Sequence, residues 1–176
     1  MGKIKIYTTI SMDGFLPPPD GNIGWILKNT KENKNNYGYH DFLKTIGRVL
    51  FDFKHYADLA AYGLRGSYGN LPCLIICSES PAEHNLHSPQ AEDSRYTDLK
   101  VLADHLHSKE NDAWLAGSPQ LISNALEMGI VEEITSIVLP VSLTEGTPLL
   151  INHKGFKLLH SQEYPDNTIR MQYSAI

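Results

Sequence analysis

Three segments hold the residues most able to do chemistry, and each follows a run that reads as a β-strand. Ser11-Met-Asp-Gly14 sets a hydroxyl and a carboxylate beside a glycine. Asp52-Phe53-Lys54 sets an acid, an aromatic ring and an amine in succession. Gly117-Ser118-Pro119 joins a strand to a helix start. In open α/β sheets ligands bind at the carboxyl ends of strands, so all three are candidate binding ends. The third has a physical reason to hold a phosphate. Unpaired N–H groups and the helix dipole favour an anion there, and Gly117 allows close backbone approach. Plainer readings stand beside these. Asp13-Gly14 also fits a tight turn closed by the aspartate side chain. Many strand-to-helix turns with Gly and Ser bind nothing.

No other recognised centre is visible. Among eight histidines, His84 and His87 fall in a polar stretch, and His105 and His107, two apart, do not share a helix face. There is no His-x-x-x-His or Cys-x-x-Cys pair, so no metal site is expected. There is no Gly-x-Ser-x-Gly elbow and no Walker loop. Trp25 and Trp114 read as core or loop anchors. Cys73 and Cys77 lie four strand steps apart, roughly 13 Å, which is too far for a disulfide.

The elements that must position these groups follow from patterning. Lys3 to Ile10 alternates, with Ile4 and Ile6 on one face, as a strand does. A turn-rich loop with Pro17-Pro18-Pro19 follows, and a polar loop covers 28–36. The pattern predicts helices near 39–45, 54–61 and from Thr97 as N-cap to His107. A further helix runs from Ser118 as N-cap, through Pro119, to a stop at Gly129. Strands are predicted over 48–51, 71–77, 113–116 and 133–139. A hairpin closes the chain, 156–164 and 168–174 about Pro165-Asp-Asn167, with Ile169, Met171 and Tyr173 on one face. Strands alternating with helices and a terminal antiparallel pair predict a single α/β domain over 1–176, with a mixed, mostly parallel sheet.

Composition bounds the function. With 15 Lys+Arg against 20 Asp+Glu, the net charge is −5, which argues against nucleic acid or an anionic membrane as partner. The 41% hydrophobic content suffices for a core and excludes wholesale disorder. Met1 to Tyr7 has no signal-peptide core, Ile6 stands where myristoylation needs Ser or Thr, and no apolar run reaches membrane-span length. A cytoplasmic location is expected.

Taken in order, several segments resemble the dihydrofolate-reductase-like superfamily, in the branch of the reductase domain of bifunctional riboflavin-biosynthesis enzymes. Ser11-Met-Asp-Gly-Phe15 with Pro19-Asp-Gly21 and Trp25 is similar to the opening S-x-D-G-[YF] segment. Tyr37-Gly-Tyr39 with Phe42 resembles the next helix, and Val49-Leu50 with Lys54-His-Tyr56 a strand, Gly-Arg and helix start. Trp114-Leu-Ala-Gly117 with Leu121 resembles a strand, Gly-Gly and helix. Ile130-Val-Glu-Glu-Ile134, Val138-Leu-Pro-Val141, Glu145-Gly146 and Pro148-Leu149 resemble the closing signature.

The resemblance implies an NADPH-dependent reductase of a small heterocycle, pyrimidine- or pterin-like, similar to 5-amino-6-(5-phosphoribosylamino)uracil reductase, and a homodimer. Carried over residue by residue, it puts Asp13 at the catalytic centre, and Ser11, Gly14 and Trp25 by the nicotinamide. It puts Asp52, Phe53 and Lys54 at the 2′-phosphate region, Gly117, Ser118, Pro119, Gln120 and Leu121 at the pyrophosphate, and Ser78 among the cofactor contacts. Tyr37, Tyr39 and Phe42 would line the substrate pocket, although Tyr37 and Tyr39 fit helix-start packing equally well. Three positions depart from the pattern. Asp52-Phe53 replaces Gly-Arg, Ser118 replaces the second Gly, and Thr144 stands where Gly is frequent. A carboxylate at Asp52 would repel a phosphate, and Phe53 lacks the bidentate contact of Arg. The folate helix carboxylate would fall on Gly38, so folate is disfavoured as substrate. A non-catalytic, ligand-binding member of the same fold is the competing expectation.

Overall fold

The computed structural model describes residues 1–17, 24–30, 35–61, 68, 71–76, 94–96, 99–107, 110–149 and 155–176. In chain order the elements are β1 (Ile4–Ser11), β2 (Phe15–Leu16), α1 (Gly24–Thr30), α2 (Tyr39–Lys44), β3 (Ile46–Asp52) and α3 (Phe53–Ala61). Then come β4 (Cys73–Ile76), β5 (Ser94–Tyr96), α4 (Leu99–His107), β6 (Asp112–Leu115) and α5 (Pro119–Glu127). The chain closes with β7 (Glu133–Leu139), β8 (Thr147–Pro148), β9 (Phe156–Glu163) and β10 (Ile169–Ala175).

Eight strands form one sheet in the order β5-β4-β3-β6-β1-β7-β10-β9. Every pairing from β5 to β7 is parallel, and β10 runs antiparallel to both β7 and β9. The sheet is therefore mixed and mostly parallel, with the expected C-terminal hairpin. Alternation along each strand feeds two cores. Ile4, Ile6, Leu50, Leu74 and Leu115 face α4 and α5, which bury Leu102, Leu106, Ile122 and Leu126. Val49, Phe51, Cys73, Ile75 and Trp114 face the other way, against Phe42 of α2 and Tyr56 and Leu59 of α3. The period-2 strands and the 3.6-period helices thus meet in three layers.

Parallel pairing puts the carboxyl ends of β1, β3, β4, β6 and β7 at one pole. The opposite pole is closed by charges: Lys5 Nζ contacts Asp112 at 2.7 Å and Glu133 at 3.1 Å. Four elements depart from the sequence expectation. Residues 28–30 belong to α1, because Trp25 and Ile26 pack on a small cluster around Tyr37, Ile137 and Leu139. The two-residue pair β2–β8 and the three-residue β5 are too short to carry a period. Ser78, Cys77 and the expected N-cap Thr97 lie outside the described residues.

Candidate active site

The first turn at the carboxyl pole is built from β1 outward. The Gly14 amide donates to the Ser11 carbonyl at 2.9 Å, and the Ser11 hydroxyl accepts from the Phe15 amide at 3.0 Å. Ser11 is thereby fully buried, and its side chain closes the turn. Asp13 is exposed beside the pole. Its carboxylate accepts from the Ser142 hydroxyl at 2.6 Å, the Thr144 amide at 2.9 Å and the Leu143 amide at 3.1 Å. The Ser11 and Ser142 hydroxyls, with the Thr144 and Leu143 amides, hold the Asp13 carboxyl far below the usual carboxylate range. An acid so placed stays ionised near neutral pH and has no proton to donate. It ties the 11–14 turn to the 142–144 segment. Gly14 lies at φ 86°, where its carbonyl accepts from Leu149.

The second component is an aromatic face between β1, β6 and α2. Tyr7 lies 4.9 Å from Phe42, 5.6 Å from Tyr39 and 6.4 Å from Trp114, centroid to centroid. The Trp114 indole donates to the Tyr7 carbonyl at 3.3 Å, and Tyr68 stacks on Trp114 at 4.9 Å. Burial raises the Tyr7 phenol and pushes Tyr68 up to about 12. The Tyr7 hydroxyl donates to the Tyr37 carbonyl at 3.1 Å. Tyr39 and Phe42 join this face, whereas Tyr37 leaves it. Tyr37 is buried at φ 47°, stacks edge-on against Tyr164 at 5.0 Å and donates its hydroxyl to Asp166 at 2.5 Å. Tyr37 packs at this corner and also borders the cleft lined by Gly38, Gln162 and Arg170. Trp25 is half-buried on α1, and its buried Nε1 has no acceptor among the described residues. Tyr7 was missed in the sequence, although it stands opposite Ile6 in the alternation. Trp114 was read as core, and it does pack, but as part of this face.

The folate-type carboxylate is absent from α2. Gly38 sits at its N-terminus, and Asp41, 81% exposed, pairs with Lys44 at 2.7 Å. No group of three or more metal-ligating residues occurs among the described residues.

The third component joins two expected subsites in one contact. Asp52 ends β3, and its Oδ1 accepts from the His55 amide at 2.9 Å, capping α3. Its Oδ2 accepts from the Ser118 amide at 2.6 Å, at the mouth of α5. One carboxylate therefore caps two helices. Burial raises the Asp52 pKa, but the Ser118 and His55 amides outweigh it and hold the group below its ordinary value. Hence Asp52 does not project toward an outside phosphate, as its repulsive role required; it turns inward to Ser118. Ser118 is the N-cap of α5, its hydroxyl accepting from Leu121 at 3.4 Å, and Pro119 has no N–H. Gln120 is the remaining first-turn donor, and it is exposed. A Cβ on Gly117 would overlap the Leu121 side-chain tip and meet Asp52 Oδ2 at 3.0 Å, so the Asp52–Ser118 contact is built around the small residue. Phe53 is half-buried against the second core, and Lys54, 79% exposed, pairs with Asp58 at 2.9 Å.

With this geometry in hand, comparison with known proteins is informative. The chain is 16% identical to a putative riboflavin biosynthesis protein from Shewanella sp. PV-4, with TM-score 0.81 and 99% of each chain covered. A dihydrofolate reductase from Enterococcus faecalis, complexed with NADP(H), superposes with TM-score 0.62 at 11% identity, over 99% of this chain and 96% of that one. The chain has the dihydrofolate-reductase-like fold. It also matches a Thermotoga maritima diaminohydroxyphosphoribosylaminopyrimidine deaminase/5-amino-6-(5-phosphoribosylamino)uracil reductase, with TM-score 0.66 and 11% identity, spanning 57% of that longer chain. Two uncharacterized Bacillus subtilis (strain 168) proteins are each 23% identical: YwjB, over 92% of both chains, and YyaP, over 97% of this chain and 94% of its own. No family model matches the chain.

Proposed function

We propose that the chain is an NADPH-dependent reductase of a small heterocycle, pyrimidine- or pterin-like, acting in the cytoplasm as a homodimer. The observation that carries this reading is the arrangement at the carboxyl pole. There, on a dihydrofolate-reductase-like sheet, the 11–14, 52–54 and 117–121 turns converge beside the Tyr7, Tyr39, Phe42 and Trp114 rings. The reductase activity in the name of the Thermotoga protein and the NADP(H) of the Enterococcus enzyme support it. The missing acid on α2 favours a substrate other than folate.

A diphosphate does not fit the 117–121 turn as it stands. Asp52 holds the Ser118 amide, Pro119 has no donor, and Ser118 Oγ takes the Leu121 amide. The turn accepts a diphosphate only if Asp52 lets go, so NADPH affinity is expected to be weak. The same contact favours the second reading, a member of the fold that binds a ligand without turnover.

Fluorescence titration with NADPH, followed by NADPH oxidation with candidate pyrimidines, separates the two readings. The double variant Asp52→Gly with Phe53→Arg restores the charge-assisted contact. It is expected to bind NADPH on the order of ten- to a hundredfold tighter, with a smaller gain for NADH. Equal gains for both cofactors would place the 52–54 segment away from the 2′-phosphate. No binding by either form would leave the non-catalytic reading.

A further inference from the structure

Arg170 is a charged side chain that the carboxyl-pole site does not use. It lies in the middle of β10, paired with Ile137 of β7 and Gln162 of β9. Ile137 in turn pairs with Thr9 of β1, so Arg170 shares the face that carries Tyr7 and α2. A guanidinium offers five N–H donors in a fixed fork and keeps its charge. Among the described residues Arg170 has no hydrogen-bond or ion-pair partner, and its Nε is buried without an acceptor. Leaving such a group unpaired is costly, which is why half-buried guanidinium groups normally have an acceptor.

The space in front of it is a cleft of about 320 Å³, bordered by Asn36, Gly38, Asp41, Gln162, Tyr164 and Arg170. Its one carboxylate, Asp41, pairs with Lys44 at the rim and lies within electrostatic reach of Arg170 without bonding to it. Gly38, at φ 81°, lets the guanidinium approach the backbone closely there, since a Cβ at this position would overlap Arg170. Gln162, paired with Arg170 across the strands, and Tyr164 line the same cleft, and neither side chain has a hydrogen bond among the described residues.

We propose that this cleft binds the oxyanion of a small polar molecule, a phosphate monoester or a carboxylate, on the guanidinium of Arg170. Gln162 and Tyr164 then meet neighbouring hydroxyls of the same molecule. The site lies beyond the cofactor turns and stands whether or not NADPH binds.

The test is nuclear magnetic resonance of ¹⁵N-labelled protein at low salt, following the Arg170 Nε–H signal in wild type and the Gly38 and Gln162 amide signals in every form. The probes are inorganic phosphate, ribose 5-phosphate and acetate. A saturable shift is expected with at least one probe. Arg170→Gln should weaken that binding by at least about tenfold, and Arg170→Lys, which keeps charge but loses the fork, by less. Tighter binding of ribose 5-phosphate assigns a phosphate monoester, and tighter binding of acetate a carboxylate; each supports the site. Non-saturating shifts for all three probes, or affinities unchanged in Arg170→Gln, overturn it. So does a flat titration combined with loss of dimer in Arg170→Gln, since Arg170 would then meet a second copy. If Arg170→Gln does not fold by circular dichroism, either non-saturating shifts in wild type or an unchanged affinity in Arg170→Lys overturns the site equally.

Discussion

At the residue scale, the most instructive case is Asp13. The resemblance put Asp13 at the catalytic centre, and its contacts with Ser142, Leu143 and Thr144 give it a holding role. Asp13→Asn removes the charge and keeps the shape. The amides of Leu143 and Thr144 are expected to exchange hydrogen faster in this variant, with any turnover reduced through poorer loop placement and not through a shifted acid limb. A pH–rate profile displaced along the pH axis would instead restore a proton-transfer role. What was legible here was local. Ser118 as N-cap, Pro119 after it and Gly129 at φ 67° follow from sequence because each acts within a turn of its own helix. The partners of Asp13, Tyr37 and Asp52 were not legible, because they lie 66 to 131 positions away.

At the element scale, the strong periods predicted the elements well. α4 and α5 bury the stripes expected of them, Leu99, Leu102, Ala103 and Leu106, and Leu121, Ile122, Ala125 and Leu126. Short elements with no full period, β2, β5 and β8, were invisible for the same reason. The helix ends carry a prediction. Because Asp52 caps both α3 and α5, Asp52→Ala loses two charge-assisted bonds and is expected to destabilise the fold by about 1–3 kcal/mol in urea unfolding. The sign with pH follows from the lowered Asp52 pKa. Its stabilisation is complete above the unfolded value, about 4, and is lost as pH falls through the lower folded value. With His55→Gln in both backgrounds, so that the coupled imidazole is silent, the gap between wild-type Asp52 and Asp52→Ala should therefore be constant from pH 5 to 7, on the order of the figure above, and close below about 4. A gap that widened in acid would contradict the capping role. His55 adds a second dependence, since burial lowers its pKa from 6.5. Its neutral form is the folded form, so stability declines as pH drops below about 6.5 in wild type.

At the scale of the whole molecule, the class of sheet was readable from the alternation of strands and helices, but its order was not, because β6 enters between β1 and β3. The outer end of the sheet is unlike the rest. β9 is exposed along nearly its whole length on both faces. Ile169, Met171 and Tyr173 form a stripe that no helix among the described residues covers completely, and Leu158, 48% exposed, pairs with Tyr173 in the same row. This apolar row supports the homodimer in the proposed function. Light scattering after gel filtration is expected to give two chains for wild type and one for Leu158→Glu. A single chain for both would remove the dimer from the proposal.

The double cap has a further consequence for how the molecule opens. α3 packs on one face of the sheet and α5 on the other. Asp52 reaches both N-termini across the adjacent strands β3 and β6, so it rivets the two layers together at the rim. Breathing of one layer breaks the bond that anchors the other. The two faces are thus coupled into one cooperative unit, where separate packing alone would let each fray by itself. Native-state hydrogen exchange would register this as a common opening energy for the first turns of both helices, and Asp52→Ala would split that single value into two.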